Sequence, residues 1–210
     1  MILIGQYDSP FVRRVAIALK TYGLSYEHRP WSVFGDADRI AALNPLRRVP
    51  TLVLDDGAAV VDSLAIVELL DDMVGPERAS LARAGADRRD LLRLSAFAAG
   101  VADKGVSLLY ERVLRDQPLA LWVDRCRAQV GGTLDLLEAE RAKRATPYLF
   151  DDRLSHADVA LAATVRFTRE AFGADFDWGR WPALIAHSDA CEALPLFAEI
   201  AQPLIPPRKG

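Results

Sequence analysis

"NPLRRVPTLVLDDGAAVVDSLAIVELL", residues 44–70, fixes the class of the chain. Two short β-type runs, 51–54 and 58–61, flank the turn "DDG" at 55–57, a hairpin signal. A strongly apolar helical pattern follows at once over 64–73. Pro50 stands at the entrance to the first run, where it cannot donate to a ladder. Towards the N-terminus, the pattern gives a strand over 1–6 and a helix over 11–22, with Gly23 placed to end it. A weaker strand over 25–29 and a short helix over 37–43 complete the set. The order βαβα then ββα predicts a small α/β sandwich whose sheet mixes parallel and antiparallel strands.

Towards the C-terminus the strand signals stop. "VGPERASLARAG", 74–85, carries two glycines and a proline, and only helical patterns lie beyond it. We therefore divide the chain into an α/β domain over 1–76, a linker over 77–85 and an all-α helical bundle over 86–210. Long helices are expected over 86–114 and 119–144, with Pro118 as the starter of the second. In "LSHADV", Ser155 and Asp158 form a capping box, with Leu154 and Val159 as the hydrophobic staple, so a helix begins at His156. The proline-rich tail "PLIPPRKG", 203–210, is expected to lie extended on the surface.

With 51% hydrophobic and 26% charged residues, the 210-residue chain has the composition of a folded protein. A net charge of −3 supplies no positive field to gather nucleic acid or an anionic membrane. The apolar start at 1–5 is too short for a signal segment, so a cytoplasmic protein is expected. Cys126 and Cys191 form no CxxC and are expected to be reduced and buried. His28, His156 and His187 show no ligand spacing, and no metal is expected.

Three stretches at the ends of elements carry the candidate chemistry, where loops rather than cores are built. Ser9 before Pro10 reads fully as an N-cap with an N1 proline. Yet a cap hydroxyl still has a proton to donate, at the positive end of a helix dipole, which suits a thiolate. Val49-Pro50 is either a trans proline opening an edge strand or a cis bond that turns the Val49 N–H and C=O outward to pair with an extended peptide. Asp62 with Ser63 is either a plain cap or an anion site at a helix N-terminus, suited to a carboxylate.

Through "SPFVRRVAIAL", "NPLRRVPTLVLDDG", "DSLAIVELL" and "LSHADVALAA", the chain resembles the glutathione transferase superfamily over nearly its full length. The resemblance implies a thioredoxin-like N-terminal domain followed by a helical one, a homodimer, and glutathione as co-substrate with a small hydrophobic electrophile. It places Ser9 beside the glutathione sulfur, makes Val49-Pro50 cis and paired with the cysteinyl backbone, and gives the γ-glutamyl carboxylate to Asp62 and Ser63. Tyr7 competes for the sulfur, since other classes use a tyrosine near the end of the first strand. Arg48 is a candidate for the glycine carboxylate, and Asp103 for the glutathione amino group, reached across a dimer interface. Two departures stand out: Arg47 where many relatives carry glycine or another small residue, and Asp62 where glutamate or glutamine is commoner. Trp31, Phe34, Tyr110 and Phe167 are candidates for the electrophile pocket. Conjugation is the expected reaction. A glutathione-dependent isomerase, dehalogenase or ether-cleaving enzyme, or a noncatalytic binding module, would use the same fold.

Overall fold

A computed structural model describes residues 1–207. Its N-terminal sheet has the order β2-β1-β3-β4, with β1 (Ile2–Ile4), β2 (Glu27–Arg29), β3 (Thr51–Val53) and β4 (Ala59–Val61). β1 runs parallel to β2 and antiparallel to β3, and β3 and β4 form the hairpin. Thr51 pairs with both Ile4 and Val61, so Pro50 opens an interior strand rather than an edge. The helices of this domain are α1 (Pro10–Thr21), α2 (Ala37–Ala41) and α3 (Ser63–Val74). Helix α1 stops as its sequence predicts: Gly23 adopts φ 66°, and the N–H groups of Gly23 and Leu24 close back on the carbonyls of Lys20 and Leu19.

The second domain is helical throughout: α4 (Gly85–Leu114), α5 (Ala120–Ala142), α6 (His156–Phe172), α7 (Pro182–Glu192) and the short α8 (Pro195–Glu199). Pro118 falls outside α5, and the Leu119 N–H that begins the helix donates to Glu111 Oε1 at 2.8 Å. The capping box of α6 is present. Asp158 is fully buried and accepts from the N–H groups of Ser155 and Leu149, both at 2.8 Å.

The domains share one core, in which Val15, Ile17 and Leu19 of α1 pack with Val159 and Ala162 of α6, Cys191 of α7 and Phe197 of α8. Both cysteines are free and buried. At the rim of this interface Tyr22 donates to Asp71, and His156 Nε2 lies 2.8 Å from the same carboxylate. The tail lies on the surface without helix or strand, as its sequence suggests. It is tied down at Leu204 and Ile205, whose N–H groups donate to Glu170 and Asp8, and 208–210 lie outside the described residues.

Candidate functional site

The loop between β1 and α1 carries the first group of candidates. Ser9 is the N-cap of α1, and its Oγ accepts from the Val12 N–H at 3.4 Å, a long bond. The proton of the Ser9 hydroxyl takes no acceptor among the described residues. Tyr7 is engaged elsewhere: its hydroxyl lies 2.9 Å from that of Tyr26, its ring stacks on His28 at 3.8 Å, and burial raises its pKa. A phenol that already shares its hydroxyl with Tyr26 is less free to turn to a ligand thiol.

Gly5 is what lets the second group approach. It holds φ 126°, and a Cβ there would sit 2.5 Å from Val12 Cγ2 and 2.8 Å from Val49 Cβ. The first turn of α1 and the segment before Pro50 therefore meet over a residue that must be glycine. Val49-Pro50 is cis. Neither the N–H nor the C=O of Val49 has a hydrogen-bond partner among the described residues. Arg47 sits at φ 52°, in the left-handed region that glycine adopts more readily than a residue with a side chain. Asn44 fixes the loop, its Nδ2 donating to Arg48 O at 2.9 Å and Thr51 Oγ1 at 3.1 Å.

Asp62, at the start of α3, is held at φ 73°, a strained conformation for a residue with a side chain. Its Oδ1 accepts from the N–H groups of Leu64 at 2.8 Å and Ala65 at 3.3 Å, while Ser63 is buried at the first helical position. Behind this turn lies Arg14, 3% exposed, whose Nε and Nη2 have no hydrogen-bond partner among the described residues. Burial lowers its pKa to about 10, opposed by nearby Asp62 and Glu68, so it stays a cation at neutral pH and adds positive potential near the start of α3.

Across the cleft, Arg48 Nη2 lies 3.7 Å from Asp103 Oδ1 of the same chain, and Lys104 holds the other carboxylate oxygen at 3.1 Å. With side chains 66% and 46% exposed, the Arg48–Asp103 pair is weak enough to yield to a ligand carboxylate. Phe34 and Tyr110 meet edge to face at 5.1 Å, joining the two domains above the cleft. The other two aromatic candidates differ in setting: Phe167 is buried in the apolar cluster that Tyr110 covers, and half-buried Trp31 lies between Arg29 and Arg39. A larger groove, about 450 Å³, opens between α6 and α7, but its charges are paired with one another, Arg166 with Glu192 and Arg169 with Asp189.

Residues 3–78 match the glutathione S-transferase N-terminal domain and residues 120–190 the C-terminal domain. The chain is 30% identical over 177 residues to the uncharacterized GST-like protein YibF of Escherichia coli, covering 80% of this chain and 81% of that one. It belongs to the glutathione S-transferase superfamily. The maleylacetoacetate isomerase of Pseudomonas aeruginosa is 27% identical, with 95% of this chain and 94% of that protein covered. Among solved structures, a glutathione S-transferase of Methylobacterium radiotolerans in complex with glutathione sulfonate superimposes with a TM-score of 0.87 at 28% identity, covering 97% of each chain. The N-terminal domain is thus thioredoxin-like and the C-terminal domain the helical partner of a transferase fold.

Sequence reasoning missed what surrounds Ser9. Asp8 and Gln202 meet through the tail, with Ile205 N–H donating to Asp8 Oδ2 at 3.0 Å and Tyr7 N–H donating to Gln202 Oε1 at 3.1 Å. A polar residue in a tail without periodicity gives no local signal of such a contact.

Proposed function

We propose that the protein is a glutathione transferase in which the thiolate of bound glutathione attacks a small hydrophobic electrophile. The observation that carries this reading is the Ser9 hydroxyl, whose proton is unspent at the positive end of α1 beside the unpaired backbone of Val49. In this reading the cysteinyl backbone of glutathione pairs with Val49, and its sulfur receives the Ser9 proton as a hydrogen bond. The γ-glutamyl carboxylate binds the hydroxyl and N–H of Ser63 at the start of α3, in the positive potential of Arg14. Arg48, released from Asp103 of its own chain, binds the glycine carboxylate, and Asp103 of the second copy reaches the amino group across the dimer interface. A free thiol has a pKa of about 8.5, and a donor with a helix N-terminus lowers it, so more thiolate is present at neutral pH. The protein consumes no side chain; it orients two substrates and favours the charged sulfur. The active form is a homodimer.

The similarity to maleylacetoacetate isomerase over nearly the whole chain favours a second reading, glutathione-dependent isomerisation at the same site. Both require glutathione binding. Calorimetry with glutathione and turnover of a generic aryl halide test the first reading, and an unsaturated dicarbonyl acid tests the second. Ser63→Ala removes a charge-assisted hydrogen bond and should weaken glutathione binding by about 1.5–3 kcal/mol. A wild-type chain that binds no glutathione overturns both.

A further inference from the structure

Two helices of the first domain begin at the same end of the sheet. β1 is antiparallel to β3 and β3 to β4, so β1 and β4 run in one direction, and α1 and α3, which follow them, both start where those strands end. The helices pack together, Val15, Ile17 and Leu19 of α1 sharing an apolar cluster with Ile66, Val67 and Leu70 of α3. Ser63 lies on the same buried face of α3, at the N-terminal end of this seam, and its hydroxyl takes no partner among the described residues. Arg14 stands little more than one turn in from the Ser9 cap. Its guanidinium is within electrostatic reach of Asp62, the N-cap of α3, and of Glu68 in the second turn, which sets it alongside the start of that helix.

Neither carboxylate pairs with it. Asp62 is taken by the N–H groups of Leu64 and Ala65, which leaves that of Ser63, and Glu68 is taken by Arg88 at 2.5 Å. The other two buried arginines show the ordinary arrangement: Arg13 holds Glu192 and the carbonyls of Phe197 and Ile200, and Arg83 holds Asp151 and the carbonyls of Ser80 and Arg153. Arg14 makes no hydrogen bond and no salt bridge among the described residues. Nε and Nη2 are sealed, so the small exposure of this guanidinium falls to Nη1, which is also unbonded. Burying a cation in this way is costly, because it gives up hydration and receives no anion in return. A guanidinium nitrogen at the opening, a free serine hydroxyl and an uncapped N–H at the start of a twelve-residue helix are together a donor set for one carboxylate.

We propose that Arg14 is the counter-ion of the γ-glutamyl α-carboxylate, donating to it through Nη1 while the Ser63 hydroxyl and N–H complete the site, so that the chain selects thiols whose first residue is γ-linked and carries a free α-carboxylate. This rests on the reading of the cleft as a glutathione site. γ-Aminobutyryl-cysteinylglycine is glutathione without that carboxylate and keeps the amino group, the thiol and the glycine end, so the ratio of the two affinities in calorimetry reads this contact alone. The wild-type chain should prefer glutathione by about tenfold to a hundredfold, the scale of a charge-assisted hydrogen bond. Arg14→Met should cut that preference by about tenfold through weaker binding of glutathione, with the affinity for the analogue held. The melting temperature of the free variant should not fall, since Arg14 loses no partner. Arg14→Gln gives the same reading if the methionine variant does not fold. A preference unchanged in these variants, including equal weakening of both ligands, makes Arg14 structural and overturns the inference while leaving glutathione binding intact. Failure of the wild-type chain to bind glutathione overturns the underlying reading and this inference together.

Discussion

Ser9 is the N-cap of α1 and the residue proposed to donate to the ligand sulfur, and one substitution with two readouts tests both. As a cap it contributes through a long bond to Val12, so Ser9→Ala should cost about 0.5–2 kcal/mol of stability, towards the lower end. In the proposed function its proton is given to the ligand sulfur, so the same change should raise the pKa of bound glutathione, read from thiolate ultraviolet absorbance. Equal titration in the two proteins would show that the hydroxyl only caps, and that the N–H groups of α1 alone act on the sulfur. Ser9 and Ser63 were legible because capping follows local rules: a small hydroxyl before an apolar helix is visible in one turn of sequence. Arg14 was not. Its burial without a hydrogen-bond partner depends on packing between α1 and α3, which the local pattern does not encode.

The joint between α6 and α7 couples stability to pH. Arg141 Nε donates to His187 Nδ1 at 3.2 Å, which leaves the proton on Nε2, facing Asp158 Oδ1 at 3.4 Å and Cys191 Sγ at 3.8 Å. Although cysteine, histidine and aspartate meet there, burial pushes the Cys191 thiol up to about 12, so the cluster is inert as a nucleophile. Burial lowers the His187 pKa to about 4. The unfolded chain takes up that proton near pH 6.5 and the folded chain does not, so stability should fall as pH drops from about 6.5 towards 4, by about 3 kcal/mol at the full extent. Asp158, whose pKa burial raises, acts in the opposite sense nearer the acid end. Urea midpoints measured from pH 7 to pH 4.5 check the slope. His187→Gln should flatten it; an unchanged slope would place the acid sensitivity elsewhere.

At the scale of the whole molecule, α3 and α4 each leave apolar or small residues exposed, Met73 at 49% and Ala65 on α3, Ala96 and Gly100 on α4. These helices are where we expect a second copy to pack, and sedimentation should show twice the 23.1 kDa chain mass at micromolar concentration. Persistence of the single-chain mass would remove the homodimer. The sequence by itself determined the order of elements, the helix caps at Ser9, Asp62 and Ser155, the stop at Gly23 and the helical second half, because each depends on residues within a turn or two. Only the tertiary structure decided that Pro50 opens an interior strand, that Gly5 lets Val49 reach the first turn of α1, that Tyr7 is occupied by Tyr26, and that the tail returns to Asp8. The reason is separation along the chain: Ile205 and Asp8 lie 197 residues apart, and no periodicity records a contact whose partners are brought together only by the packing of two domains.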